Sequence, residues 1–394
     1  MTSYDIIFSL QEILAQRMSE VPLSGIREIF EKAQTISDVI RLEFGEPDFD
    51  TPTHIKNAAY EALNRGATKY TSSFGISQLR DAVAEKMVRE NRVKCSRDNV
   101  VITSGATSAL SLAVLAVMNP EDEILIPNPG WANYVPISRI GGARSVGYPL
   151  FEKDDFNVNI DNVKKLITPK TKMILINSPS NPSGGVIQED DLKALGELAV
   201  RYDLLILSDE VYEKFVYDGQ KHFSLASLPQ FSNRVITVNS FSKTYAMTGW
   251  RIGYTVAPEE LAEAMGRLNG STNSCTATMA QFAALAALKE SQNCVTEMVE
   301  EFKKRRGGGG GGLSELRQMS CNPPKGAFYA FVNISKTHMD SLPLSMKFLD
   351  RGHVATVPGS AFGSFGEGYI RIAYANSEEN LKLALSRMKA VLSS

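Results

Sequence analysis

Lys243 lies within Ser240-Phe-Ser-Lys-Thr-Tyr-Ala-Met-Thr-Gly-Trp-Arg251, directly after the apolar run 234–239. A lysine that ends a buried strand among hydroxyls gives up its proton more readily than a solvated one, and a neutral amine forms a Schiff base with an aldehyde. Arg251, eight positions on, puts a second cation within reach of an anionic group on that aldehyde. Burial of Arg251 against such a partner is expected, because it follows Gly-Trp and precedes an apolar strand.

Pyridoxal phosphate carries both groups, an aldehyde and a phosphate. Holding it takes a lysine, a carboxylate to keep the pyridine nitrogen protonated, an anion site and a group that recognises the substrate. Asp209 closes Leu204-Leu-Ile-Leu-Ser208, where a buried carboxylate needs a cationic partner such as a pyridinium; alone it reads equally as a cap on the next turn. Tyr212 is placed to donate to a ring hydroxyl, or simply to pack. Ser104-Gly105-Ala106-Thr107 follows a strand and opens a helix, a ready anion site, with Ser240, Ser242 and Arg251 to complete it. Asn181, in Asn-Pro-Ser-Gly, also fits plain turn chemistry. Trp131 offers a face for stacking on a planar ring or for a core. Arg371, in Tyr-Ile-Arg-Ile-Ala-Tyr, suits a carboxylate held by two hydrogen bonds if it points inward from its strand.

The elements around these residues alternate. Aliphatic runs at 100–103, 123–127, 172–177, 204–208 and 234–239 are apolar on both faces, as in a parallel sheet covered by helices. Such sheets bind ligands at the carboxyl ends of their strands, and here those ends carry 103–107, 177–181, 208–210 and 240–243. A doubly wound α/β domain is expected over residues 52–290. Residues 291–394 change pattern and, joined by 1–51, form a smaller α+β unit. Six consecutive glycines, Gly307–Gly312, interrupt a helical pattern; at roughly 1 kcal/mol each they should nearly abolish local helicity.

The whole chain narrows the function classes. With 42 Lys+Arg against 44 Asp+Glu, it has no basic footprint for nucleic acid or an anionic membrane surface. Four scattered cysteines and four histidines give no metal-ligand spacing, so free buried thiols and no metal are expected. The N-terminal apolar patch Ile6-Ile7-Phe8 is bracketed by Asp5 and Glu12, without a basic leader or a membrane-length run, and the chain reads as cytoplasmic.

The motifs Gly45-Glu-Pro-Asp-Phe, Lys69-Tyr-Thr, Asn181-Pro-Ser-Gly, Ser208-Asp-Glu-Val-Tyr212, Ser240-Phe-Ser-Lys243 and Gly326-Ala-Phe-Tyr329, together and in this order, resemble the fold-type-I pyridoxal-phosphate aminotransferases of class I/II. Among these the chain is most similar to the prokaryotic aspartate and aromatic aminotransferases, from about Leu23 to the C-terminus. The resemblance implies a large α/β domain with a mostly parallel seven-stranded sheet flanked by helices, plus a smaller α+β domain. It implies that Lys243 holds the cofactor and shuttles the proton, that Asp209 pairs with the pyridine nitrogen, and that Tyr212 and Asn181 bond the ring hydroxyl under a stacked Trp131. Gly105, Ala106, Thr107, Ser240, Ser242 and Arg251 would take the phosphate. Tyr70 would reach the phosphate of a neighbouring subunit, which implies a homodimer. Arg371, with Asn181 and the backbone near Gly45, would clamp the substrate α-carboxylate.

The implied reaction moves an amino group from an L-amino acid to a 2-oxo acid, with 2-oxoglutarate the expected acceptor. Some acidic-substrate members carry lysine where this chain has Thr107, and the motifs offer no replacement cation, so acidic, aromatic and broad donors stay open. A carbon–sulfur β-lyase would use the same cofactor cage. A regulatory protein with a DNA-binding head is disfavoured by the roughly twenty residues before Leu23, and an inert binding protein by the presence of the lysine, the aspartate and both arginines.

Overall fold

A computed structural model describes residues 25–313 and 316–393, together with Leu14, Ala15 and Met18. The patch Ile6-Ile7-Phe8 lies outside the described residues. The strands among them are β1 (Ile40–Arg41), β2 (Val100–Thr103), β3 (Glu123–Asn128), β4 (Arg144–Pro149), β5 (Thr171–Asn177), β6 (Leu205–Asp209), β7 (Val235–Ser240), β8 (Gly253–Val256), β9 (Tyr329–Asn333), β10 (Val354–Ala355), β11 (Val357–Pro358) and β12 (Tyr369–Ala373).

Seven of these form one sheet in the order β2-β8-β7-β6-β5-β3-β4, with β8 antiparallel to both its neighbours and the remainder running one way. The continuous aliphatic runs have a direct cause. Successive side chains of β5 point to opposite faces, and both faces are covered. Ile174 and Ile176 pack in one core with Leu79, Val83, Leu195 and Ala283 of three helices. Met173 and Leu175 pack in another with Ala109, Ala113 and Met265. The strand ends expected to converge do so: β2, β5, β6 and β7 all finish at the same edge.

A three-stranded antiparallel sheet, β11-β12-β9, holds Arg371 opposite Val357 and Phe331. Beside it, β1 pairs in parallel with β10, Ile40 against Val354 and Arg41 against Ala355. Phe302, Phe328, Val332, Phe348, Ile370 and Met388 fill the core of this part.

The six glycines do not break their helix, contrary to expectation: it runs from Asn293 to Leu313. Its first half is tied down by packing, which outweighs local propensity. Met298 and Phe302 are buried. Arg305 bonds Asp48 at 2.6 Å, and Arg306 holds Asp218 through two bonds of 2.7 Å, immediately before the run. A methyl group added at Gly307 would meet nothing within 4 Å. Gly307→Ala is therefore expected to raise the unfolding free energy by roughly 0.5–1 kcal/mol in denaturant melts.

No described helix is long and apolar enough to cross a membrane. The four cysteines are free, but half-buried rather than buried.

Candidate active site

A pocket of about 540 Å³ opens at the carboxyl edge of the seven-stranded sheet. Its floor is built from strand ends. Strand β7 delivers Ser240, whose Oγ accepts the Ser242 N–H at 3.0 Å and caps the short helix Phe241–Thr244 that carries Lys243. The Lys243 amine donates to the Gly45 carbonyl. Burial pushes its pKa down to about 8, against the pull of Glu46 and ahead of the repulsion from Arg371 and Arg251. A much larger share of neutral amine is thus present near neutral pH than on a surface lysine.

Asp209, at the end of β6, faces the same pocket. It caps the next turn, Oδ1 accepting the Val211 N–H at 3.3 Å, while Oδ2 accepts the Tyr134 hydroxyl at 2.7 Å. Burial raises its pKa to about 6, opposed by those two hydrogen bonds. Its neighbour Glu210 points elsewhere, to Ser208, Ser224 and His222. Glu210, Glu213 and His222 form a group of three possible metal ligands that sequence spacing gave no sign of. Their oxygens are already engaged, those of Glu213 by Lys86 and Asn91, and Glu213 is held down to about 2 despite its burial, chiefly by the Lys86 charge.

Gly105 precedes the helix Ala106–Val117 at φ +83°, and a Cβ there would lie 2.5 Å from Arg251 Nη2. Only glycine fits both the backbone and the guanidinium. Arg251 is exposed, not buried as expected. It sits in the left-handed region (φ 50°) at the pocket wall and gives one N–H to the Thr248 carbonyl at 2.9 Å. The turn aims it into the open pocket, whereas a strand position would have put it in the core.

Arg371 points inward and is 4 % exposed. Its carbon Cζ lies 4.6 Å from the Tyr329 ring centroid and 5.0 Å from that of Phe362. Nη1 donates to Asn181 Oδ1 at 2.9 Å and Nη2 to the Glu43 carbonyl at 2.6 Å. Two of the guanidinium's five N–H donors are thus engaged, and Nε is buried without a partner among the described residues. Asn181, with its oxygen committed, can offer the pocket its NH₂ group.

Trp131 and Tyr134 meet edge to face at 5.4 Å along one wall. Tyr212 shares a 2.8 Å hydrogen bond with Tyr329, whose hydroxyl would lie 2.5 Å from a Cβ on Gly45, so that glycine admits the tyrosine. Ala106, Thr107, Ser242 and Gly45 also line the pocket. Tyr70 does not line it and stands 87 % exposed. The sequence pattern did not mark Tyr134 or Tyr329 as parts of this site, although Tyr329 closes the motif Gly326-Ala-Phe-Tyr329 and Tyr134 stands three residues after Trp131. It also missed Arg27, Phe30, Glu43 and Phe44, for which no local signal existed.

The family profile described as aminotransferase class I and II matches residues 37–388. The chain belongs to this family. It is accordingly a pyridoxal-phosphate-dependent transaminase by family. It is 42 % identical over 382 residues to aromatic-amino-acid aminotransferase 2 of Thermococcus litoralis, covering 96 % of this chain and 98 % of that one. The same identity and coverage hold for the aspartate aminotransferase of Pyrococcus abyssi. Among solved structures, Thermus thermophilus aspartate aminotransferase with maleate superposes with a TM-score of 0.92 at 36 % identity, over 96 % of this chain and 99 % of that one. An aromatic aminotransferase from Pyrococcus horikoshii gives 0.89 at 42 %, over 93 % and 98 %. As an aminotransferase of this class, the chain has the fold its motifs implied.

Proposed function

We propose that this aminotransferase moves the amino group of an L-amino acid to a 2-oxo acid, with 2-oxoglutarate as acceptor, in two alternating half-reactions on one cofactor. The observation that carries the assignment is the meeting of three groups in one pocket: a lysine amine with a lowered pKa, a buried carboxylate and a buried arginine with donors unpaired among the described residues.

The residues present fit pyridoxal phosphate on physical grounds. The Gly105 turn and Arg251 make a cradle that any side chain at 105 would fill, and Asp209 is a buried carboxylate with a raised pKa, which a cation would stabilise. Ala106, Thr107, Ser240 and Ser242 would join this cradle around the phosphate. Asp209 would hold the ring nitrogen, Tyr212 and Asn181 the ring hydroxyl, and Trp131 one ring face. When bound, the cofactor supplies the aldehyde carbon that carries the amino group and a ring that withdraws electrons from the substrate α-carbon.

The chain's own groups do the rest. Arg371 fixes the α-carboxylate shared by both substrates, so amino acid and 2-oxo acid arrive in one orientation. Lys243 Nζ takes the α-proton and returns it, a role matched to a pKa near 8. Tyr134 keeps the Asp209 carboxylate turned toward the ring position.

Two further points belong to this reading. Residues 52–290 would form the cofactor-binding domain, and 1–51 with 291–394 the smaller one; for its described residues this is supported by the pairing of β1 with β10. The working unit is a cytoplasmic homodimer in which Tyr70, exposed in the single chain, completes the partner's phosphate site.

The test is a half-reaction screen: holoenzyme is mixed with each of the twenty amino acids and its absorbance followed. Products are then assayed, since release of ammonia and pyruvate without consumption of an amino acceptor would indicate a β-lyase instead.

Asp209 yields a separate expectation in the cofactor-free protein. A carboxyl whose folded pKa is raised stabilises the fold fully below about pH 4, and that contribution is lost as pH rises through about 6. For this fully enclosed group the loss is on the order of 3 kcal/mol. Asp209→Asn should remove it, so the variant's thermal midpoint should gain on the wild type between pH 4 and pH 7. Its affinity for pyridoxal phosphate should fall at the same time.

A further inference from the structure

The pocket leaves one question that its floor does not answer: what meets the far end of the substrate side chain. Its described lining holds four cations, Arg27, Lys243, Arg251 and Arg371. Three already have a task in the proposed reaction. Thr107 brings no charge. Arg41, behind the pocket wall, is not available either. Its guanidinium is covered by Phe30 and Phe44, at 5.3 and 4.7 Å from their ring centroids, and its Nε is bonded to buried Glu43.

Arg27 is also bonded to a glutamate through Nε, but unlike Arg41, both it and its partner are exposed. It lies on the helix Gly25–Ala33, one turn before Phe30, so both side chains fall on the same helix face. Phe30 and Phe44 meet edge to face at 5.6 Å and form an apolar wall beside it. The side chain is 67 % exposed, and its partner Glu31, bonded at 2.6 Å, is 59 % exposed. An exposed pair with the cation on the N-terminal side is a weak one on a helix. A carboxylate arriving from the pocket competes with Glu31 at little cost, and the planar fork can take it through two N–H bonds.

We propose that Arg27 binds the second carboxylate of dicarboxylic substrates, while the adjoining Phe30–Phe44 wall receives apolar and aromatic side chains. This deepens the transaminase reading and rests on it. It also supplies the cation that the motifs alone did not show, from a helix outside all of them. One helix face thereby serves two substrate chemistries, with Arg371 holding the α-carboxylate in both.

The experiment compares glutamate and phenylalanine as donors in the holoenzyme half-reaction for wild type, Arg27→Gln and Arg27→Lys. In Arg27→Gln, kcat/KM for glutamate should fall roughly ten- to a hundredfold further than that for phenylalanine, mainly through KM. Arg27→Lys should recover part of the difference, and raised salt should narrow it. Equal losses with both donors, no loss with either, or a wild type that turns over phenylalanine but no dicarboxylic substrate would overturn the assignment. A wild type that turns over no amino acid at all overturns the transaminase reading itself, and is distinguishable because phenylalanine then fails as well.

Discussion

Lys243→Ala is expected to lower turnover by at least about 10⁴-fold, with the protein still folded and still able to bind cofactor. Two functions end with one amine: the covalent anchor and the group that moves the α-proton. The remaining cage, from Gly105 and Arg251 to Asp209, does not depend on the lysine side chain, since among the described residues Lys243 hydrogen-bonds to the Gly45 carbonyl and not to the cage. The variant should therefore bind pyridoxal phosphate without the absorbance near the visible edge that a lysine linkage produces. Wild-type protein supplies the complementary test. Only neutral amine attacks an aldehyde, and the Lys243 pKa lies at about 8, so cofactor loading should quicken as pH rises through 8 and level off above it. Full activity in Lys243→Ala, or a loading rate that falls with pH over this range, would falsify the assignment of this lysine.

The second large effect belongs to Arg371. Arg371→Ala should cut kcat/KM for every amino acid by roughly 10²–10³-fold, because a charge-assisted double contact to the α-carboxylate is lost. The loss should appear mostly in KM, with the visible absorbance of the loaded enzyme retained. Stability should also fall, since removing the guanidinium leaves Asn181 Oδ1 and the Glu43 carbonyl unpaired and opens a gap between Tyr329 and Phe362. Arg371→Lys separates the two effects. It keeps the charge and much of the volume but not the fork, and should lie between wild type and alanine in KM. Kinetics unchanged in both variants would remove Arg371 from the substrate clamp.

Much of this site was legible because its chemistry sits at strand ends, and strand ends are marked by where an aliphatic run stops. Asp209 and Lys243 each close such a run, and their facing positions follow from neighbouring parallel strands. Arg371 was legible as an anomaly, a charge inside an apolar strand, but its direction was not, because it depends on which rings cover it. What stayed hidden are contacts between distant parts of the chain. Tyr134 reaches Asp209 across 75 residues, and Glu43 meets Arg371 across 328; no local pattern announces either pairing. Arg251 misled because its flanking residues are apolar while its own backbone turns left-handed toward the pocket. The glycine run misled for a related reason. Propensity is a local quantity, and the salt bridges of Arg305 and Arg306 that hold this helix reach Asp48 and Asp218.

The stretch from Ile40 to Thr51 touches both halves of the chemistry, and at two of its contacts it does so through backbone oxygens: that of Glu43 on Arg371, and that of Gly45 on Lys243. A carbonyl is the same whatever side chain follows it. Mutations at the half-exposed Phe44 can therefore reshape the wall facing the substrate while the two oxygens stay in place, provided Gly45 still admits Tyr329. The segment separates what must remain fixed from what is free to drift. In a lineage of such enzymes, amino-acid preference could then change by single substitutions in this strip without the reaction having to be rebuilt each time.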